Sequence, residues 1–289
     1  VQNLRLGVQI SIAGHIYEAV DRVDALGCNT MQIFSRDPRQ WRKKRLAAKE
    51  IEEFKKRRRE SNISPLFVHI PYLANLASPY SVLYKDSIKA YIEDIKETET
   101  LGAEYLVTHM GSHKKSGEER GLRRVTSALN TILERTKKSP VKILLENTSG
   151  SGSWLGYKFE HSRRIIDGIE QKNRIDVCFD TCHGYSAGYD LATQEGYRET
   201  IRQLDKIVGL SRLKLIHLND TKDKLLSHRD RHEHIGKGKI GLEGFRCILN
   251  DRRFKDVAFI LETPKDSDDA DRINLSVVRK LVNPHTPLL

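Results

Sequence analysis

The stretch IDVCFDTCH, Ile175 to His183, decides how the rest of the chain is read. An apolar run carries without a break into Asp180, and His183 follows three residues on. A short apolar run that ends in turn-forming residues is the pattern of a strand buried on both faces, as in a parallel sheet. Side chains alternate sides along a strand, so Asp180 and His183 differ in parity. The chain must therefore turn just after the strand for both to face one point, and GYSAGYD, Gly184 to Asp190, is expected to be a loop that makes this turn.

The same pattern recurs along the chain. The other runs are LRLGVQIS (4–11), CNTMQIFS (28–35), PLFVHIPY (65–72), YLVTHMGS (105–112), KILLENTS (142–149), LKLIHLND (213–220) and VAFILETP (257–264), which makes eight in all. Between them lie amphipathic, charged stretches such as EAVDRVDALG, AAKEIEEFKKRRRE, SIKAYIEDIKETETLG and GLRRVTSALNTILERTKK, several closed by a glycine where a helix would end. Strands alternating with helices indicate a parallel sheet with helices outside. Eight such units with no linker or low-complexity segment predict an α/β protein with a closed (β/α)8 TIM barrel, a single domain over residues 1–289.

From the third run onward each strand ends in a group able to bind a metal: His69, His109, Glu146, Asp180 followed by His183, His217, and Glu262. In a barrel these ends meet at the C-terminal mouth, where the active sites of this fold are built. Packing alone does not call for a ring of imidazoles and carboxylates, and burying such groups unpaired is costly unless cations offset them. Four imidazoles and three carboxylates exceed the needs of one four- or five-coordinate ion, so at least two ions are implied, with Glu146 or Asp180 as a bridge. Further along, SHRDRHEHIGKGKIG (227–241) carries Asp230 and His232 two apart, and with His183 they make a third set. His228 and His234 in that stretch read as parts of a solvated, basic loop. Imidazole with carboxylate suits zinc best, with manganese or iron as alternatives at some sites.

Composition narrows the class. With 38% hydrophobic and 31% charged residues the chain fits a soluble globular protein, and no run approaches the about 18 apolar residues of a membrane span. Four cysteines, Cys28, Cys178, Cys182 and Cys247, form no C-x-x-C pair and read as buried thiols of a reducing compartment. With no signal segment visible, a cytoplasmic protein without a membrane partner is expected. The excess of 50 Lys+Arg over 39 Asp+Glu, a net charge of +11, favours a polyanionic partner. Several metal ions in a basic mouth point to phosphodiester chemistry, in which paired ions activate a water and neutralise the leaving oxygen.

These residues resemble the endonuclease IV family of apurinic/apyrimidinic (AP) endonucleases, in the xylose isomerase-like TIM barrel superfamily. The resemblance covers essentially the whole chain and is most specific in LLENTSGSGSWLGYKFEH, DVCFDTCHGYSAGYDL, HLNDTK and DRHEHIGKGKIG. It implies three zinc ions: one held by His69, His109 and Glu146; a second by Glu146, Asp180, His217 and Glu262, with Glu146 bridging; a third by His183, Asp230 and His232. It implies hydrolysis of the phosphodiester 5′ of an abasic nucleotide in duplex DNA, giving a 3′-OH and a 5′-deoxyribose phosphate, and trimming of blocked 3′ ends, as a step of base-excision repair. Glu146 and Glu262 would be the catalytic carboxylates, and Glu146 would orient and deprotonate the attacking water. Arg39, Tyr72 and Leu73 match the family's loop residues that enter the DNA at the lesion, Arg231 would contact phosphate, and the enzyme is expected to work as a monomer.

The chain departs from the family in four places. Gln9 stands where the first strand has a histidine and is expected to support a ligand rather than act as one; Ile70, Pro71 and Met110 also differ. The rival reading is a metal-dependent sugar isomerase or epimerase of the xylose isomerase type. It leaves His183, Asp230 and His232, the loops of Arg39 and Tyr72, and the +11 charge without a role.

Overall fold

The computed structural model describes residues 4–34 and 46–282. Its strands are β1 (Arg5–Val8), β2 (Met31–Phe34), β3 (Leu66–His69), β4 (Tyr105–His109), β5 (Lys142–Glu146), β6 (Ile175–Asp180), β7 (Leu213–His217), β8 (Asp220–Thr221), β9 (His232–Glu233) and β10 (Ala258–Leu261). Eight of them form one parallel sheet in the order β1, β10, β7, β6, β5, β4, β3, β2, while β8 and β9 make a small antiparallel pair beside it. The helices among the described residues are α1 (Glu18–Ala25), α2 (Ala48–Glu60), α3 (Ser81–Thr100), α4 (Glu118–Arg135), α5 (Phe159–Asp167), α6 (Thr181–Ala187), α7 (Gln194–Ile207), α8 (Gly241–Leu249) and α9 (Ala270–Leu281). None of them is long and apolar enough to cross a membrane.

Each of the eight apolar runs contains one barrel strand, as the sequence predicts. Two helices and one loop differ from the sequence reading, and α4 covers Glu118–Arg135 where residues 121–138 are expected. Helix α3 starts at Ser81, six residues before the expected stretch, because residues 81–86 are all exposed or half-buried and carry no apolar stripe to mark them. The segment expected to be a loop after Asp180 is instead helix α6. The Asp180 side chain accepts from the backbone N–H of His183 at 2.7 Å and so caps this helix, which ends at Gly188 with φ +110°. Gly184, which suggests a loop in the sequence, answers a packing demand: a Cβ there would stand 2.6 Å from the Phe179 ring.

Two apolar layers hold the barrel. The larger lies between sheet and helices, where α4 contributes the stripe Leu122, Val125, Leu129, Ile132 and Leu133. The smaller fills the interior of the barrel with Phe67, Val107, Leu144, Cys178, Leu215, Ala258 and Ile260. Residues two further along a strand face the same way. The interior parity of Phe67, Val107, Leu144, Cys178, Leu215 and Ile260 therefore sends His69, His109, Glu146, Asp180, His217 and Glu262 to the top of the same interior.

The sheet closes where β1 meets β2. Asn29 stitches the lower end, its Nδ2 donating to Leu4 O at 2.9 Å and its Oδ1 accepting from Leu6 N at 2.8 Å. The upper end has one parallel bridge, Gln9 to Gln32, with Ile10 N donating to Gln32 O at 2.9 Å. Between them Gly7 lets the backbones approach so closely that a Cβ would lie 2.0 Å from Thr30 O. Gly7→Ala should therefore open this seam and cost about 1–3 kcal/mol, the range for forced overpacking. It would be read as a lower denaturant midpoint at unchanged m value; an unchanged midpoint would show that the seam has slack.

Candidate metal centre

Strand register assembles the site. His109 of β4 pairs directly with Glu146 of β5, and Asp180 of β6 with His217 of β7. The second pairing depends on an irregularity: Val177 pairs with Leu213 but Cys178 with Leu215. If the first register continued, Asp180 would sit beside Ile216, so the bulge brings His217 to the carboxylate.

Glu146 lies at the centre and is fully buried. Its Oε2 is 3.0 Å from His69 Nε2 and 3.5 Å from His109 Nε2, while its Oε1 is 3.0 Å from His217 Nδ1 and 3.4 Å from His183 Nδ1. His217 Nδ1 also faces Glu262 Oε2 at 3.3 Å and Asp180 Oδ2 at 3.8 Å. Beyond them the β8–β9 pair brings in Asp230, whose carboxylate oxygens lie 3.1 Å from His183 Nε2 and 3.3 Å from His232 Nε2. The donor atoms within each of the following groups lie within 4.8 Å of one another: His69, His109 and Glu146; Glu146, Asp180, His217 and Glu262; His183, Asp230 and His232. All nine residues expected to bind metal come together in them.

The donors suit a cation, because the imidazoles are pinned from behind. His69 Nδ1–H donates to Ile70 O at 2.7 Å, His183 Nδ1–H to Asn147 O at 2.9 Å and His232 Nδ1–H to Glu262 O at 2.9 Å. Each ring then aims its Nε2 at the carboxylates, as metal-binding histidines do. His232 Nε2 is buried, makes no well-formed hydrogen bond and faces the Asp230 carboxylate at 3.3 Å, aimed into the third group.

Charge coupling is strong. Burial alone would raise the carboxyl of Glu146, but the imidazoles of His109 and His217 outweigh it and hold it well below the usual range. Burial would likewise raise Asp230, and His183 and His232 reverse that. Burial lowers His109 to about 4. Against burial, Asp180 and Asp230 lift His183 well above its ordinary value, and the Cys178 sulfur, then Glu262 and Glu146, do the same for His217. His232 rises to about 9, chiefly through Asp230 and Asp180. Without metal, protons stand in for cations in this cluster.

Several partners carry little signal in the sequence. Asn147 clamps β5 to β6, accepting from Asp180 N at 2.7 Å and donating to Asp180 O at 3.0 Å. Asn219 donates to Asp180 Oδ2 at 2.6 Å and accepts from Glu262 N at 2.8 Å. Asp220, fully buried, accepts backbone N–H groups from Thr221, Gly236, Gly238, Ile240 and Gly241. The glycines of HIGKGKIG therefore wrap an internal carboxylate and anchor the chain just after His232; a Cβ on Gly238 would stand 2.4 Å from Asp220 Oδ1. Gln32 was also missed, although it contacts both His217 and Glu262. The Cys178 thiol, an interior filler by sequence, lies among the donor atoms of Glu146 and His217, where burial pushes it up to about 12.

At the rim the outcome is mixed. Tyr72 is 55% exposed and stands over the site, its ring 5.6 Å from that of His109, with the half-buried Leu73 beside it. A cleft of about 230 Å³ beneath Tyr72 is lined by His109, Ser149, Trp154, His183 and Asp230. Arg231 is half-exposed and grips Asp223, its Nε 2.6 Å from Oδ2. Arg39 lies outside the described residues. His228 and His234 do not form a solvated loop: His228 donates to Ser149 O at 2.8 Å, and His234 bridges Asp266 and Asn274. Gln9 is hydrogen-bonded to Gln32 behind His217 and Glu262, and Ile70 and Met110 are buried.

The chain matches the family model described as xylose isomerase-like TIM barrel over residues 20–281. A protein named "Probable endonuclease 4" from Chloroflexus aurantiacus is 43% identical over 279 residues, 96% of this chain and 98% of the other. One of the same name from Methanoculleus marisnigri is 44% identical over 276 residues, again 96% and 98% of the two chains. The crystal structure of endonuclease IV from Thermus thermophilus superposes with a TM-score of 0.86 at 37% identity, covering 96% of this chain and 98% of that one. A D-tagatose 3-epimerase-like protein superposes at 0.72 with 20% identity, covering 96% and 98% of the two chains, a likeness of fold alone.

The charge coupling has a consequence for metal uptake. Since His183, His217 and His232 are raised, their protonated forms prevail below the raised values, about 9 for His232, and a cation must displace those protons. Zinc loading of the metal-free protein near pH 7.5 should release protons, and affinity should weaken as pH falls from about 9 towards 6. Calorimetry in buffers of different ionisation enthalpy measures this; heats that do not depend on buffer would contradict it.

Proposed function

We propose, from the premise that this chain belongs to the xylose isomerase-like TIM barrel family and within it to the endonuclease IV proteins, that it is a zinc-dependent AP endonuclease. It would hydrolyse the phosphodiester 5′ of an abasic site in duplex DNA, leaving a 3′-OH and a 5′-deoxyribose phosphate, and would trim blocked 3′ ends in base-excision repair.

The observation that carries this reading is the set of three donor groups around Glu146. His69, His109 and Glu146 would hold one zinc ion; Glu146, Asp180, His217 and Glu262 a second; His183, Asp230 and His232 a third. Imidazole with carboxylate favours zinc, with manganese or iron able to occupy some positions. Bound cations would supply Lewis acidity at the phosphate and lower the pKa of a water.

The chain's own groups do the positioning. Glu146 presents one oxygen to His69 and the other to His217, so it spans the first two groups; held ionised, it can accept a hydrogen bond from an attacking water and orient it. Glu262 faces it across His217. Tyr72 and Leu73 stand at the rim, where an apolar wedge can fill the gap left by a missing base, and an abasic nucleotide costs less to extrude than a paired one. Arg231, exposed and paired with Asp223, would share its charge with a phosphate. The sugar-epimerase reading has the fold in its favour but leaves the third donor group idle.

Incubation with a duplex carrying one AP-site analogue should give a single incision 5′ of the lesion that a strong chelator abolishes. Glu262→Ala should slow it by on the order of 100-fold or more. An intact duplex with metal-loaded protein, or metal-dependent turnover of a free ketose, would contradict the assignment.

A further inference from the structure

Among the described residues, two barrel strands, β1 and β2, bring no acid or imidazole to the centre. They bring Gln9 and Gln32, side by side at the bridge that closes the top of the barrel among the described residues. Gln32 is fully buried. Its Nε2 donates one hydrogen to Gln9 Oε1 at 2.8 Å and the other to Glu262 Oε1 at 2.7 Å, and its Oε1 accepts from His217 Nε2–H at 2.9 Å. Every donor and acceptor position that faces the site is thereby used.

His217 differs from the histidines pinned by main chain. His69, His183 and His232 each give their outer N–H to a backbone carbonyl, whereas His217 gives it to the Gln32 side chain. Its orientation therefore rests on a group that could turn. If the Gln32 amide flipped, its oxygen would face the Glu262 carboxylate and Gln9 Oε1, and its NH₂ would face His217 Nε2. The ring would then have to carry its proton on Nδ1, the atom that faces Glu146, Asp180 and Glu262.

We propose that Gln9 and Gln32 form an amide relay that positions the Glu146–Asp180–His217–Glu262 group for its ion: Gln32 fixes the metal-ready tautomer of His217 and the rotation of Glu262, and Gln9 keeps the Gln32 amide from turning. Gln32 is a positioning residue and touches neither substrate nor metal. Because the relay sits on the closing bridge, the barrel seam and this ion's site stand or fall together. The inference rests on the reading of His217 and Glu262 as metal ligands.

The test uses the full-length, zinc-loaded protein with Gln32→Met, which keeps length and removes the hydrogen bonds, and with Gln9→Met. Zinc per chain, the rate of zinc release to a chelator, and the ¹⁵N–¹H signal of His217 Nε2–H are measured, alongside circular dichroism of the metal-free proteins. Gln32→Met should weaken one of three ions by roughly 10–100-fold and expose the Nε2–H to rapid exchange, with the other two ions unchanged. Gln9→Met should shift both readouts the same way by less. If Gln32→Met fails to fold, the Gln9→Met variant, at a partly exposed position, decides the matter alone. Wild-type zinc content, release rate and Nε2–H protection in the variants would overturn the relay while leaving the metal centre intact. A wild type that takes up no zinc would remove the metal centre, and the relay with it.

Discussion

The wholly buried carboxylate of Glu146 is the constraint on which the rest of the structure depends. A lone charge at the top of an apolar barrel interior is costly, and four imidazoles converge on it within 3.5 Å. Those imidazoles draw in Asp180, Asp230 and Glu262, so the cluster alternates in sign and cannot be trimmed at one point without stranding a neighbour. Its composition, acids and imidazoles with inner nitrogens facing inwards, is that of a centre completed by cations.

The barrel supplies the geometry this cluster needs. Interior parity alone turns the residues at six strand ends to the inside of the barrel, but parity does not give register. The bulge in β7 sets His217 beside Asp180, and the Asn147 clamp fixes the last peptide of β6 where the chain turns into α6. The Asp180 carboxylate then serves twice, one oxygen capping α6 through His183 N and the other facing Asn219 and His217. That arrangement resolves the parity conflict between Asp180 and His183: His183 is in the first turn of a helix, not on the strand. The third donor group depends on a different anchor, the carboxylate of Asp220 held by five backbone N–H groups of the glycine-rich segment and its neighbours.

The strands, and the acids and imidazoles that gather at their ends, were legible because both follow from a period of two and from charge in an apolar context. Phe67 with His69 and Leu144 with Glu146 show the rule: an interior residue announces the face, and the next of its parity announces the donor that reaches the barrel mouth. Asp230 and His232 were legible from spacing alone. Helix α6 was not, because Gly184 signals a loop in sequence while its cause is contact with the Phe179 ring. His228 and His234 were misread as solvated because their partners, Ser149, Asp266 and Asn274, lie more than 30 residues away. Gln32, Asn147 and Asn219 were missed for another reason: a neutral amide has no mark in sequence to tell a ligand's hydrogen-bond partner from an ordinary polar residue.

The central claim is that this ring of acids and imidazoles is built around metal, and anomalous X-ray scattering at the zinc edge from crystals of the loaded protein tests it most directly. Three peaks should appear inside the barrel mouth, with about 2.0–2.1 Å from zinc to imidazole nitrogen, one of them at His217 Nδ1 and one between His183 and His232. Peaks confined to surface histidines, or a mouth free of metal at full zinc loading, would contradict it.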